Sequence, residues 1–332
     1  MSGRRRRPVV RLVPPAPVLR VVSCTIALAL ITASSMVHAQ LYKYRDASGA
    51  WVYTDRQPPA GAKAETLTVD LEVKAPRITV EQQVDGQQLN LLAINECACE
   101  AEFLLQIANA GNVSLPASAA AAVAPRRSHV VLQPHSRLAL LSAPIDGPSV
   151  SGFNFAWRVV LGAPGATHQP HEPYRVPFAL GSSYKVSQAY PLRITHTTPD
   201  SEYAVDLAVP DGTPIYAARE GMVINVRHDY FRGAPDMSML DQATVVEILH
   251  DDGTIGIYAH LHWESIRVQP GQSVRRGQYI ADSGNTGLTT GPHLHFAVVR
   301  NAGQRAESVP VQFTGSGGIA ITPQTGMLLT AY

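Results

Sequence analysis

Cysteine is scarce in this chain of 332 residues, which contains only Cys24, Cys97 and Cys99. Three cysteines cannot form a Cys₄ zinc site, and they exclude a fold held together by many disulfides. The spacing of Cys97 and Cys99 predicts that both side chains lie on one face of a strand. A bridge between such positions is geometrically awkward, and the alternative is that both cysteines are small buried hydrophobic residues.

Acidic residues are absent from the first 39 positions, which hold six of the 27 Lys and Arg residues and none of the 26 Asp and Glu residues. The basic residues precede a short apolar run and small residues that end at Ala39. This order is typical of a secretory signal peptide cleaved after Ala39, and the shortness of the apolar run disfavours the alternative of an uncleaved membrane anchor. We therefore expect no stable membrane span after cleavage. The remaining chain carries a net charge of about −5, which gives no electrostatic reason to bind nucleic acid.

Amphipathic helical periodicity is nearly absent, and short β-type runs separated by turns predict an all-β chain. Residues 1–39 are the predicted signal peptide. Residues 40–75 contain a hairpin and a linker, and the hairpin, L-Y-K-Y-R-D-A-S-G-A-W-V-Y-T, resembles a small domain of unknown function from bacterial envelope proteins. Residues 76–170 predict an accessory β-sandwich of immunoglobulin-like type. Residues 171–315 predict an antiparallel β-sheet unit because the connections are too short for crossover helices, and residues 316–332 are expected to be a C-terminal tail.

The stretch G-N-T-G-L-T-T-G-P-H-L-H-F-A-V, at residues 284–298, carries the first chemical signal. Its glycines predict tight turns, and the apolar run after Pro292 predicts a strand. Residues two apart on a strand point to the same face, so His293 and His295 project together. Such a pair either belongs to a metal or hydrolytic site that needs further residues, or it lines a solvated face of the sheet. Suitable side chains elsewhere in the chain would distinguish these two interpretations.

Two other segments supply partners for the histidine pair. His196 precedes Asp206 within H-T-T-P-D-S-E-Y-A-V-D, and His260 lies in Y-A-H-L at the end of another predicted strand. Two or three imidazoles and one carboxylate, offered from strand ends, match a catalytic zinc site that keeps one position open for water.

Four ordered motifs resemble the M23 family of zinc metallopeptidases, the lysostaphin/LytM-type peptidoglycan endopeptidases. They are D-L-A-V-P-D-G-T-P from Asp206, A-A-R-E-G-M-V, Y-A-H-L and G-P-H-L-H-F. The resemblance implies an M23-type peptidase domain at residues 171–315, with Zn²⁺ held by His196, Asp206 and His295. His260 and His293 would then be the catalytic pair that does not bind metal. The implied protein is a secreted periplasmic or cell-envelope zinc endopeptidase, which hydrolyses peptide bonds of peptidoglycan with a zinc-activated water.

The first zinc ligand departs from the family pattern, which is usually H-x-x-x-D. Here nine residues separate His196 from Asp206, and Glu202 stands where the histidine normally lies. Either the intervening residues loop out so that His196 still reaches the metal, or Glu202 is the ligand, and we favour the imidazole. The sequence leaves open which of His260 and His293 is the general base.

The alternative function is a non-enzymatic LytM-like regulator that binds cell wall or activates an amidase. Such regulators usually lack some of the metal-binding and catalytic residues, whereas this chain has all five, and this favours the enzyme. An accessory role for residues 40–170, which could present or occlude the groove, is a further hypothesis.

Overall fold

The computed structural model describes residues 59, 61, 63, 78–116 and 126–332, together with the backbone of four short strands closer to the N-terminus. The predicted signal-peptide cleavage site lies outside the described residues. Within the described part, nearly every element is a strand, and the exceptions are two 3₁₀ helices of three residues each. No helix in this part of the chain is both long enough and apolar enough to span a bilayer. The prediction of an all-β fold is confirmed.

The N-terminal strands form two separate pairings. Strand β1 (Arg20–Val22) pairs with a strand of the accessory sandwich. Strands β2 (Gln40–Arg45), β3 (Trp51–Thr54) and β4 (Glu65–Thr68) form a three-stranded antiparallel sheet in the order β3-β2-β4. The predicted hairpin is the β2–β3 pair, and β4 adds a strand that the sequence did not predict.

The next six strands form two antiparallel sheets that face each other. They are β5 (Ile78–Asp85), β6 (Gln88–Asn95), β7 (Ala101–Asn109), β8 (Arg126–Leu132), β9 (Ser136–Pro144) and β10 (Asn154–Leu161). One sheet has the order β1-β10-β7-β8 and the other has the order β5-β6-β9. Alternate residues of both sheets, among them Leu89, Leu91, Phe103 and Leu105, enter one shared core. Two sheets around a common core are the arrangement of a β-sandwich.

Cys97 and Cys99 form a disulfide, so the expectation that a bridge between them is unfavourable was wrong. The two residues lie in a bend between β6 and β7 rather than on a strand. Because the chain bends there, their Cα atoms are 5.2 Å apart, within the usual range for a disulfide. Both cysteines are also fully buried, as the alternative interpretation predicted.

The C-terminal half is built around a nine-stranded sheet. Its strands are β11 (Ser183–Gln188), β12 (Val205–Ala208), β14 (Gly221–Arg227), β16 (Val245–Leu249), β17 (Ile255–Ala259), β18 (Ser273–Val274), β21 (His293–Asn301), β22 (Ala306–Ser308) and β25 (Leu328–Thr330). The order is β18-β14-β16-β17-β21-β12-β11-β25, and β22 pairs with β21. All of these pairings are antiparallel, as the sequence predicted.

Small two-stranded pairs complete this half of the molecule. They are β13 (Pro214–Tyr216) with β19 (Tyr279–Asp282), β15 (Gly233–Ala234) with β20 (Gly287–Leu288), and β23 (Phe313–Thr314) with β24 (Ala320–Ile321). The β15–β20 pair is parallel, and it ties the insert between β14 and β16 to the glycine-rich stretch. Gly287 has a φ of +80°, and an added Cβ would come within 2.8 Å of Ala243, so this close approach requires glycine.

The two faces of the nine-stranded sheet differ because side chains alternate along each strand. Leu294, Phe296 and Val298 of β21 enter the large core of this half. The odd-numbered residues of the same strand, which include His293, His295 and Val299, therefore lie on the opposite face. The sandwich packs at the Val299 end of that face, where the Cys97–Cys99 disulfide contacts the sheet.

The C-terminal residues differ from the expected tail. Strand β25 pairs with β11 at the edge of the nine-stranded sheet, and Leu329 and Ala331 are buried. A three-residue strand is too short to produce a clear alternating pattern, so this pairing has no recognisable signal in the sequence.

Candidate metal centre

The register of neighbouring strands places one carboxylate between two polar side chains. Asp206 of β12 lies opposite His295 of β21 on one side and opposite Gln188 of β11 on the other. Directly opposite residues of an antiparallel pair share a face and have closely spaced Cβ atoms. The sheet therefore brings Asp206 and His295 together although 89 positions separate them in the chain.

Three ligand-type atoms converge at this point. Nδ1 of His295 is 2.9 Å from Oδ1 of Asp206. Nε2 of His196, from the loop between β11 and β12, is 3.1 Å from Oδ2 of the same carboxylate. One ligand atom from each of the three residues lies within 4.8 Å of the others, and this is the one such group found among the described residues.

The donor set fits a zinc ion. Zinc binds histidine nitrogen and carboxylate oxygen at about 2.0–2.2 Å, so tetrahedral ligands stand roughly 3.3–3.6 Å apart. The nitrogen–oxygen separations here are a few tenths of an ångström shorter, a difference that small side-chain movements would remove. Two imidazoles and one carboxylate are also the set expected of a catalytic site with one open position.

Asp206 is ionised in this environment. Burial by itself would raise the pKa of its carboxyl group, but the hydrogen bonds from His196 and His295 outweigh burial and hold that pKa far below its ordinary value. An ionised carboxylate is the form that binds a cation.

His196 is held differently from the other imidazoles. It is buried, and its Nδ1 has no hydrogen-bond partner among the described residues. A histidine that binds metal usually donates its second ring nitrogen to a carboxylate or carbonyl, which fixes the ring. The position of His196 must therefore depend on how its loop is anchored.

His260 and His293 lie beside the three-residue group. Their ring centroids are 4.4 Å apart, and Nε2 of His293 is 3.9 Å from Oδ1 of Asp206. Nδ1 of His260 donates to the carbonyl of Thr286 at 2.6 Å, and Nδ1 of His293 donates to the carbonyl of Gly291 at 2.8 Å. A carbonyl can only accept, so in each neutral ring Nε2 is the nitrogen that carries the lone pair.

His260 is neutral over the physiological range. Burial lowers the pKa of its imidazole to about 3, and the neighbouring His293 and His295 rings contribute in the same direction. A neutral imidazole whose Nδ1 proton is already donated has its Nε2 available to accept a proton.

The structure places the two candidate first ligands in different surroundings. His196 lies against Asp206, whereas Glu202 forms an ion pair with Arg193, with 2.9 Å between Oε1 and Nη1. The structure thus brings together all five residues of the predicted site, His196, Asp206, His260, His293 and His295. Gln188 was missed because a single glutamine has no motif around it, and only the β11–β12 register places it beside Asp206.

The insert at residues 229–241 forms one wall of an adjacent cavity. Phe231 and Arg232 of the insert, with His262 and Trp263, are among the residues that line about 390 Å³ next to Thr286. The Phe231 and Trp263 rings are both exposed, and their centroids are 6.2 Å apart. His262 thus contributes to the lining of this cavity next to the candidate site.

A further histidine, His250, directly follows β16 and lies outside the candidate site. It is buried, and its Nδ1 donates to the carbonyl of Glu220 at 2.7 Å.

Comparison with known families identifies two segments. The model of Peptidase family M23 matches residues 200–307, which include Asp206, His260, His293 and His295 and begin four residues after His196. A domain of unknown function, DUF4124, matches residues 27–83.

Several curated proteins are similar to part of the chain. Peptidoglycan DD-endopeptidase ShyA of Vibrio cholerae is 33% identical over 125 residues, which are 37% of this chain and 26% of ShyA. Peptidoglycan DD-endopeptidase ShyB of the same organism is 40% identical over 97 residues, 29% of this chain and 20% of ShyB. The chain therefore spans about a quarter of the length of these relatives.

Lysostaphin of Staphylococcus simulans is 27% identical over 175 residues, which are 50% of this chain and 32% of lysostaphin. The solved catalytic domain of lysostaphin is 28% identical and covers 38% of this chain and 87% of that domain, with a TM-score of 0.28. This chain contains a peptidase family M23 domain, preceded by a DUF4124 domain.

Proposed function

We propose that this chain is a secreted zinc metalloendopeptidase that hydrolyses peptide bonds of bacterial peptidoglycan. The observation that carries the proposal is the convergence of His196, Asp206 and His295 beside two imidazoles whose Nε2 atoms are available. Relatives that share the M23 domain are named peptidoglycan endopeptidases, and this supports the choice of substrate.

His196, Asp206 and His295 would hold the zinc ion. Bound there, zinc would supply a Lewis acid and lower the pKa of a water ligand toward ~7. The ionised state of Asp206 supports this role, because it offers a negative charge to the cation without first losing a proton.

His260 and His293 would move protons. Each imidazole fixes its orientation by donating from Nδ1 to a backbone carbonyl, which leaves Nε2 as the free nitrogen, and Nε2 of His293 lies 3.9 Å from Oδ1 of Asp206. A neutral Nε2 can accept the proton of the attacking water, and an Nε2–H can donate to the developing oxyanion or to the leaving amine.

The bond that is cut is proposed from the relatives. ShyA and ShyB are named DD-endopeptidases and are 33% and 40% identical, whereas a relative named glycyl-glycine endopeptidase, ALE-1 of Staphylococcus capitis, is 28% identical. We therefore propose DD cross-links rather than glycine bridges as the substrate. The predicted signal peptide supports a periplasmic or cell-envelope location.

The test is digestion of purified peptidoglycan by the purified chain. New amino groups should appear, a zinc chelator should stop their release, and added zinc should restore it, with mass spectrometry of the fragments locating the cut. Glycine-bridged peptidoglycan serves as the matched alternative substrate. Zinc-containing protein that binds peptidoglycan but releases no amino groups would contradict the proposal and favour the regulator.

A further inference from the structure

Gln188, the last residue of β11, is a buried polar side chain with several partners. Its side chain is one of the few buried amides in the C-terminal half, with 4% of its surface exposed. A buried carboxamide must satisfy one acceptor and two N–H groups, so its partners show what the residue holds.

The oxygen of the amide anchors the loop that carries His196. Oε1 accepts hydrogen bonds from the backbone N–H of Ile194 at 3.0 Å and of Thr195 at 3.2 Å. The nitrogen adds a third contact, because Nε2 donates to Oγ1 of Thr195 at 2.8 Å. Gln188 thus binds the two residues that directly precede His196.

The same nitrogen reaches the carboxylate. Nε2 of Gln188 donates to Oδ2 of Asp206 at 3.3 Å, and Oδ1 of Asp206 accepts from His295. This contact exists because the β11–β12 register, with an irregularity after Val186, puts Gln188 opposite Asp206. The side-chain amide of Gln188 therefore contacts both the carboxylate of Asp206 and the loop that carries His196. These two elements must stay close for the three ligand atoms to converge.

We propose that Gln188 is the positioning residue that holds His196 against Asp206 across the extended loop. This inference rests on the metal site of the proposed function. In the usual H-x-x-x-D spacing the chain itself keeps the two ligands close, whereas here nine residues intervene. Nδ1 of His196 has no hydrogen-bond partner among the described residues, so no such bond anchors the ring through this atom. Gln188 instead anchors the backbone of the two residues that precede His196.

A second set of contacts holds the outer part of this loop and supplies a control. Arg193 pairs with Glu202 at 2.9 Å, and Tyr190 packs on Tyr203 with 4.8 Å between ring centroids. Neither pair contacts Asp206. Removal of the exposed Arg193–Glu202 pair should therefore loosen the loop surface without moving the ligand atoms.

The experiment measures zinc affinity of the purified full chain by competition with a chromophoric chelator, with hydrolysis measured separately. Gln188→Met keeps the length of the side chain and removes every hydrogen bond, and its zinc affinity should fall about 10- to 100-fold, the usual effect of losing a partner of a metal ligand. At zinc concentrations high enough to refill the site, KM should equal the wild-type value and most of kcat should return.

Two variants serve as controls. Arg193→Gln should bind zinc as the wild type does. Gln278→Met removes a glutamine that accepts from the backbone N–H of Arg275 at 3.1 Å, in a turn remote from the site, and should also leave zinc affinity unchanged.

A milder variant keeps the test valid if Gln188→Met does not fold. Thr195→Val removes only the hydroxyl that accepts from Gln188, so zinc affinity should fall by a few-fold. Wild-type zinc affinity in Thr195→Val would by itself overturn the proposal. Where Gln188→Met folds, the effect of combining the two variants should be less than additive, because both act through one contact. Full additivity would place the two residues in independent roles and overturn the proposal.

The outcomes separate the two proposals. Wild-type zinc affinity in Gln188→Met overturns the positioning role. A wild-type chain that binds zinc tightly but cleaves no peptidoglycan overturns the proposed function alone, since the zinc titrations still test Gln188. A wild-type chain that binds no zinc overturns both.

Discussion

The sheet face that carries the candidate site has two chemically different ends. At one end, His293 and His295 of β21 lie beside Asp206. At the other end of the same strand, Val299 packs with Ile255 and the Cys97–Cys99 disulfide of the sandwich. Four positions along one strand, from His295 to Val299, therefore separate a titratable cluster from an apolar contact between the two halves of the molecule.

The comparison shows how one strand serves two purposes. Strand alternation fixes only which face a side chain points to, and the neighbouring elements decide its environment. Loops with polar groups surround the His295 end, whereas the bend between β6 and β7 covers the Val299 end. Substitutions at the first end should change chemistry, and substitutions at the second should change stability.

The largest effect is expected from loss of a proposed metal ligand. His295→Ala and Asp206→Ala should abolish zinc binding and lower kcat/KM on the order of 10⁴-fold, because no other side chain takes the vacated position. Zinc content and amino-group release from peptidoglycan measure the two effects. Val299→Ala, on the same strand and face, is the matched control and should keep its zinc. Full activity in His295→Ala would refute the ligand assignment.

Loss of the two neighbouring imidazoles should separate metal binding from turnover. His260→Ala and His293→Ala should each retain zinc while kcat falls about 10²- to 10⁴-fold, the usual contribution of a general acid or base. His262→Ala is the control, because this imidazole lines the adjacent cavity and should affect kcat little. Loss of zinc from either His260→Ala or His293→Ala would make that residue a ligand instead.

The sequence allowed the fold class and much of the site to be predicted for specific physical reasons. Period-two alternation predicted the strand of His293 and His295, and the absence of helical periodicity predicted the all-β fold, which the structure confirms. The M23 assignment from the motifs is confirmed as well. The zinc ligands and the catalytic pair stay predictions, although the structure brings all five side chains together.

The remaining features depend on contacts that a linear pattern does not contain. The position of Gln188 depends on a strand register with an irregularity, and the Cys97–Cys99 disulfide depends on a bend. His250 precedes two aspartates in the sequence, and only the fold shows that its ring turns inward to the carbonyl of Glu220. Each of these misses is a local geometry set by tertiary packing.

A buried imidazole at the apolar end should make stability depend on pH. His250 follows Leu249, which packs against the disulfide cluster, and burial lowers the pKa of His250 from 6.5 to about 4. The unfolded chain therefore binds one more proton at His250 between these pH values. The free energy of unfolding should fall by about 3 kcal/mol as the pH drops from about 6.5 to about 4.

Urea unfolding at pH 7 and at pH 4.5 measures this effect. His250→Gln should lose less stability between the two pH values than the wild type, since its side chain does not titrate. His171→Gln is the control, because His171 is exposed and pairs with Asp251 at the surface. Equal losses in His250→Gln and in the wild type would show that His250 does not carry the pH dependence.

The smallest effect is expected from removal of the disulfide, which tests whether the apolar end influences the polar one. The bridge closes a loop of only three residues, so the Cys97→Ala, Cys99→Ala double variant should lose about 1.5 kcal/mol of unfolding free energy. Zinc affinity and kcat should stay within about twofold of wild type, because additivity holds for sites that share no partner. A loss of zinc in this variant would mean that the sandwich contact holds the register of β21 as far as His295, and the two ends would then form one cooperative unit.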